Sequence, residues 1–221
     1  WPENPNCIGG KDLEAGGSWL LASPEGRWAV LTNYRDGRNL EAGKVSRGNL
    51  VQEAISQPLA SFSSWLVKNA HQFAGFNLIW GTANQAWYFT NAGEQAALGI
   101  QALKAGVYTL SNANLNTPWP KTLLLKELMT NWLAQPKPKL ANIFAILENT
   151  QQAAAKDLPN TYINLAMEQL LSSIFISSSD YATRTSSLLY STNNNLWHLH
   201  EKTHAYPQQA PQEIQLTWQV N

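Results

Sequence analysis

Four polar side chains crowd the end of one apolar run: Asn33, Tyr34, Arg35 and Asp36 directly follow Trp28, Ala29, Val30, Leu31 and Thr32. The run reads as a buried strand, and Asp36-Gly37 as the turn that ends it. An amide, a phenol, a guanidinium and a carboxylate are thereby set at the open end of a strand, where functional groups collect. Arg35 and Asp36 read either as a surface ion pair worth under ~1 kcal/mol or as part of a cleft rim. A second cluster is His198, His200 and His204. Alternation puts His198 and His200 on one face of a strand, where they are candidate ligands for zinc or haem iron. The competing reading is an exposed strand face, because no Cys or acidic partner stands at ligand spacing except Glu201, which points the other way. Cys7, the single cysteine, reads as a small buried hydrophobe.

The elements that must position these groups follow from hydrophobic period and turn chemistry. Residues 16–22 and 27–32 read as strands joined by the turn Ser23-Pro24-Glu25-Gly26, an antiparallel hairpin. Residues 37–45 form a Gly-rich loop. Ser46 is a plausible N-cap for a helix over 48–56, whose Leu50, Val51, Ala54 and Ile55 fall on one face. Pro58 opens a second helix with Leu59, Phe62, Trp65 and Leu66 at helical spacing. Strands are predicted over 76–81, 86–90 and 106–111. A helix over 120–134 carries Leu124, Leu125, Leu128, Met129 and Trp132, and another follows around Leu140, Ile143, Phe144 and Leu147. Residues 164–172 read as helical and 172–176 as extended. Strands over 186–191, 196–203 and 213–220 finish the chain. Neither an internal repeat nor a domain boundary stands out. The order suits an α+β layered domain with antiparallel sheets.

Composition narrows the partners. The 221 residues carry zero formal net charge, which argues against nucleic acid or an anionic membrane surface. Charged residues are 14%, below the ~25% of average usage, and Asn, Gln, Ser and Thr fill the deficit. Ten Trp supply core, hairpins and possible walls of an apolar ligand cavity. No stretch approaches the ~18 apolar residues of a transmembrane helix. One Cys excludes an internal disulfide and is compatible with a reducing compartment, so a cytoplasmic location is expected. Oligomeric state is left open.

Two longer stretches carry a resemblance. Leu31-Thr32-Asn33-Tyr34-Arg35-Asp36, with Ser46-Arg47-Gly48, and Leu110-Ser111-Asn112-Ala113 followed by Thr117-Pro118-Trp119-Pro120-Lys121 resemble the NRDE family, also called the transport-and-Golgi-organisation 2 family. Gly10 to Leu20 is similar to the stretch that follows that family's name-giving Asn-Arg-Asp-Glu motif. The resemblance implies the αββα sandwich of N-terminal-nucleophile hydrolases: two antiparallel sheets between helical layers. It implies one domain over 1–221 that lacks the family's N-terminal strand region, since neither the Asn-Arg-Asp-Glu motif nor an N-terminal Cys is present. The nucleophile is not transferred to Cys7.

By resemblance, Asn33 matches the oxyanion-donating Asn of bile-salt hydrolases, Asn112 their second active-site Asn, and Arg184 their late Arg. Such donors stabilise an oxyanion by roughly 3–4 kcal/mol in the best cases, and a guanidinium lowers the pKa of a neighbouring Cys. The alternative is that Asn33 and Asn112 cap strand ends and Arg184 satisfies carbonyls. Tyr34, Arg35, Asp36 and Trp119 are expected to line the ligand site. The family has been linked to haem trafficking and to acyl-CoA or lipid handling. The implied function is therefore a carrier or chaperone with haem as first cargo, acyl-CoA second, and no required cofactor. The alternative is an N-terminal-Cys hydrolase of non-peptide amide bonds, and a structural module that keeps only the fold is a third reading.

Overall fold

A computed structural model describes residues 1–38, 45–205 and 210–220. The predicted Gly-rich loop lies largely in 39–44, outside the described residues. The fold is α+β, with two antiparallel sheets. The first has five strands in sequence order: β1 (Leu20–Ala22), β2 (Trp28–Asn33), β3 (Phe76–Gly81), β4 (Ala86–Thr90) and β5 (Gln101–Leu103). The second is β6 (Thr185–Ser191), β7 (Leu196–Thr203) and β8 (Gln212–Gln219). Among the described residues five α-helices complete it: α1 (Gly48–Ser56), α2 (Leu59–Asn69), α3 (Pro120–Leu133), α4 (Ala141–Leu147) and α5 (Leu165–Leu170).

Period-2 alternation sorts the first sheet into two faces. One face carries Leu21, Ala29, Phe76, Leu78, Trp80 and Phe89. It buries them against Leu50, Val51, Ala54 and Ile55 of α1 and Phe62 and Leu66 of α2, which forms the main core. The opposite face carries Leu20, Trp28, Val30, Thr32, Asn77 and Tyr88, as the register pairs Leu20 with Val30 and Asn77 with Thr32 require. This face meets the second sheet. Trp218 of β8 donates its indole N–H to the Ser23 carbonyl at 3.2 Å. Gly26 (φ +77°) turns the β1–β2 hairpin so close to Val220 and Trp197 that an added Cβ would lie 3.1 Å from Val220. On the far side of the second sheet, Phe144 of α4 packs against His200 (ring centroids 4.5 Å apart), and Lys202 bonds Glu148 at 2.7 Å. Helices thus cover both outer faces, the expected sandwich of layers.

Three local expectations need correction. Arg47, not Ser46, is the N-cap of α1, with no side-chain cap bond. Ser46 contributes its carbonyl, to Asn49 N–H at 3.1 Å. Residues 106–111 are not a strand. Their β-forming side chains suggest one, but the backbone bonds go elsewhere: Thr109 N–H to Asn116 Oδ1, and the Ser111 carbonyl to Thr32 Oγ1 at 2.7 Å. Residues 172–176 are likewise tied by isolated bonds, Phe175 N–H to the Asn149 carbonyl and Ile176 N–H to Thr183 Oγ1, rather than by a ladder. The apolar stripe of α3 is half-buried, and Thr122 is the helix's buried residue. In addition β5 exists, a three-residue edge strand too short for its period to stand out in the sequence.

Candidate functional site

The site is made by a loop laid across the inner face of the first sheet. Asn77 and Tyr88, both fully buried, stand on that face. Tyr88 donates its hydroxyl to Asn77 Oδ1 at 2.7 Å and accepts from the Leu115 N–H at 3.2 Å. Asn77 Nδ2 donates to the Ala113 carbonyl at 3.0 Å and to Thr32 Oγ1 at 3.2 Å. These bonds stitch residues 111–115 to β2, β3 and β4. Buried polar groups cost free energy unless paired, so this seam fixes the loop in one position. Beyond it, Arg35 N–H donates to the Asn112 carbonyl at 2.7 Å and Asn112 Nδ2 to the Asn33 carbonyl at 3.1 Å.

The loop and the end of β2 enclose a polar cavity of about 360 Å3. Tyr34, Arg35, Asp36 and Trp119, the four predicted ligand-contacting residues, all line it, together with Asn114 and Tyr162. Gly93 (φ +70°) closes one wall, where an added Cβ would come within 2.6 Å of the Tyr34 hydroxyl. Asp36 accepts two bonds from Arg38, at 2.9 and 2.8 Å, and Arg38 lies over the Tyr162 ring at 3.9 Å. Burial and the Asp36 carboxylate push the Tyr34 phenol up, so it is a neutral donor at physiological pH.

Arg35 is the group the sequence placed but could not explain. Its guanidinium lies 4.8 Å from the Trp119 ring centroid and 3.2 Å from Glu168 Oε2. Glu168 is 3% exposed, and its Oε1 accepts from both the N–H and the hydroxyl of Thr161 at 2.6 Å. Behind Trp119, Lys121 donates to the Leu171 carbonyl at 2.8 Å. Burial, and secondarily the Arg35 charge, pull the Lys121 ammonium down to about 8, with Glu168 opposing. Glu168 had no part in the sequence reading, and Lys121 entered it only as the last residue of a motif, without a role. Lys121 sits inside the motif ending Trp119-Pro120-Lys121, the one signal that could have raised it. The pairing of Glu168 with Arg35 across distant elements leaves no periodic trace.

The other predicted residues do not line this cavity. Asn33, exposed, lines a separate cavity of about 380 Å3 on the α1 side, with Ser46, Arg47 and Asp12. Asn112 is bonded to Asn33's carbonyl and lines neither cavity. Arg184 precedes β6, where its carbonyl accepts from His204 N–H at 2.8 Å, and it also lines neither. His198 and His200 share a face of β7. His200 Nε2 is 2.5 Å from Glu213 Oε1, a carboxylate brought from β8, while His198 Nδ1 meets Thr217 Oγ1 at 3.1 Å and its ring stacks on Tyr190. Among the described residues no group of three or more His, Cys, Asp or Glu could hold a metal ion. Cys7 is fully buried, and desolvation raises its thiol pKa.

A third cavity, of about 470 Å3, opens between the sheets. Leu20, Trp28 and Val30 line it from one side, Leu188, Leu189 and Trp197 from the other. No helix among the described residues is long and apolar enough to cross a membrane.

Comparison with known proteins agrees with the motifs. The family model for "Transport and Golgi organisation 2" matches residues 1–206. The chain is similar to the Transport and Golgi organization 2 homolog of Mus musculus, 30% identical over 209 residues that cover 86% of this chain and 74% of the relative. The Bos taurus and Homo sapiens homologues give 31% and 30% identity over the same shares.

Proposed function

The chain belongs to the Transport and Golgi organisation 2 family, and on that premise we propose that it is a carrier or chaperone of an apolar cofactor or metabolite. The observation that carries this reading is the apolar cavity between the sheets. Its size of about 470 Å3 falls within the ~300–1,000 Å3 of small-molecule sites. Its walls are mostly aliphatic and aromatic, supplied by both sheets, with the hydroxyls of Thr82, Ser187, Tyr190 and Ser191 among them. Burying about ten methylenes there would contribute roughly 8 kcal/mol, which is the free energy of a Kd near ~1 μM before ordering costs. That affinity holds a cargo and still lets it go.

A long acyl chain, as in acyl-CoA, needs no protein ligand and is the cargo this cavity fits best. Haem is the second candidate. His198 and His200 alternate with Trp197, which lines the cavity, and so lie on the other face of β7. Haem between the sheets would therefore be held without either as axial ligand, weakly and transferably. A cytoplasmic place of action goes with this reading, and fractionation of tagged protein tests it.

The deciding experiment is a Soret titration beside an acyl-CoA competition assay, on wild type and on Leu189→Trp, which fills the cavity. Saturable binding that Leu189→Trp weakens at least tenfold is expected. Absence of saturable binding, or binding indifferent to the substitution, overturns the proposal. Turnover of an acyl-amide in place of reversible binding favours the hydrolase alternative.

A further inference from the structure

The cavity on the α1 side of the first sheet is lined by a cation that no carboxylate of the described residues answers. We propose that it is a binding site for a small monocarboxylate with an apolar body, gripped by the free edge of the Arg47 guanidinium. The inference stands apart from the carrier reading. The two cavities share no lining residue. The first sheet also separates them: Leu31 packs toward the α1 core, while its neighbour Val30 lines the cavity between the sheets.

The walls come from segments that two glycines allow to meet. Gly17 and Gly48 touch backbone to backbone, and an added Cβ on Gly17 would lie 2.7 Å from the Gly48 Cα. Ser18 N–H donates to the Gly48 carbonyl at 3.4 Å. The loop carrying Asp12, Ser18 and Trp19 is thereby pressed against the start of α1, where Ser46 and Arg47 stand. Asn33 joins them from the end of β2.

Hydrogen-bond capacity then points to Arg47. A guanidinium offers five N–H donors, and each of its two bidentate edges pairs Nη2 with another nitrogen, Nε or Nη1. Nη1 of Arg47 donates to the Gly75 carbonyl at 3.3 Å. That oxygen also accepts from Tyr34 N–H at 2.9 Å, so it is a fixed anchor. Nε and Nη2 have no hydrogen-bond partner among the described residues, and neither is shut off from the surface. They make one complete edge, the fork that takes a carboxylate through two parallel bonds. Burial lowers the pKa of this guanidinium, and a charge that has lost water gains more from an anion. The Asn33 amide and the Ser46 hydroxyl are likewise without hydrogen-bond partners among the described residues, and both residues line the same cavity.

The remaining lining sets the ligand class. Trp19, Leu31, Val45 and Ala74 give the cavity an apolar side, which suits a ring or a short hydrocarbon chain. Among the described lining residues Asp12 is the acid. Its Oδ1 accepts from the N–H groups of Glu14 and Ala15 at 2.9 and 3.0 Å, which holds the carboxylate in place. That fixed negative charge disfavours a dianion, so a monocarboxylate is preferred to a phosphate.

The test is isothermal titration of the full chain with benzoate, with hexanoate and with inorganic phosphate. Saturable binding of at least one carboxylate is expected, about tenfold or more tighter than phosphate, with a shift of the Trp19 indole N–H resonance. Arg47→Lys keeps the charge and loses the fork, so it should weaken binding about tenfold or more. Asn33→Asp adds a negative charge at an exposed position with little change of shape, and should weaken binding about fivefold or more. Leu189→Trp, which fills the cavity between the sheets, should leave carboxylate binding unchanged, so failure here and failure of the carrier reading are told apart. Unchanged thermal unfolding of Arg47→Lys shows that its fold is kept, and Asn33→Asp serves if it is not. No saturable carboxylate binding up to about 10 mM, phosphate bound as tightly, binding unaltered in Asn33→Asp or in folded Arg47→Lys, or binding lost in Leu189→Trp overturns the proposal.

Discussion

The single hydroxyl of Tyr88 should be worth more than its size. It lies at the centre of the polar seam, donating to Asn77 and accepting from the Leu115 N–H, in a residue with no exposed surface. Tyr88→Phe removes one oxygen and leaves the ring. Two hydrogen bonds are lost, each worth about 1 kcal/mol net. The buried Leu115 N–H and Asn77 Oδ1 are then left without partners, and one orphaned buried group costs about 1–3 kcal/mol. Without double counting, the loss comes to about 3 kcal/mol. Urea unfolding followed by Trp emission measures it. With m near about 2 kcal/mol/M, the midpoint should fall by roughly 1.5 M at unchanged slope. Amide exchange at Leu115 and Asn116 should accelerate, because the loop is released locally. Tyr190→Phe, on a ring stacked against His198, is the matched control and should shift stability by less than about 0.5 kcal/mol. A loss below about 0.5 kcal/mol for Tyr88→Phe would show that the seam does not hold the loop.

Three further outcomes are expected. Gly93→Ala places a Cβ within 2.6 Å of the Tyr34 hydroxyl and 2.5 Å of Asn114 Oδ1 at φ +70°; it should cost more than about 1 kcal/mol by calorimetry and change Tyr34's surroundings in near-ultraviolet dichroism. Glu168→Gln leaves Arg35 buried and unpaired and should cost about 3 kcal/mol in urea unfolding, with part of that loss recovered in the double variant Arg35→Gln/Glu168→Gln. Lys121, held down to about 8 by burial and by Arg35, gives up its proton in the folded chain before the unfolded chain does. Between pH 8 and 10.5 the unfolded state holds more protons, so stability rises with pH. Relative to Lys121→Met, the wild type should gain up to about 3 kcal/mol between pH 7 and 10.5, and parallel pH profiles would refute the assignment.

Much of this architecture was legible in the residues. The ends of β3 and β4 follow from an apolar run broken at Thr82 to Gln85, and α1 from Leu50, Val51, Ala54 and Ile55 on one face. These elements bury a continuous stripe, so period alone specifies them. Residues 106–111 misled because Val107, Tyr108, Thr109 and Leu110 have strand-forming side chains while their backbone bonds go to side chains such as Asn116 and Thr32. Propensity describes a residue's preference, not the partner its amide finds. The site was legible to the same extent. Tyr34, Arg35 and Asp36 are contiguous, and Trp119 reaches them because the Asn77–Tyr88 seam delivers its loop to the end of β2. Glu168 and Lys121 act through charge across elements far apart in the chain, an interaction with no sequence period to betray it.

Both sheets are simple meanders, each strand pairing with its neighbours in sequence. The kinetic consequence is an order of assembly. Apart from the β2–β3 connection, which carries α1 and α2, the loops to be closed within each sheet are short, so both should form early. The link between them, from Trp218 and Val220 back to Ser23 and Gly26, spans nearly the whole chain and should come last. During synthesis residues 20–103 will have been released long before β8 exists. Through that interval the Trp28 and Val30 face stands uncovered, an apolar surface waiting for its lid. Weakening the late contact, as in Trp218→Phe, should therefore hasten unfolding and leave the refolding rate nearly untouched, and the nascent chain should be most vulnerable to aggregation just before its final strand emerges.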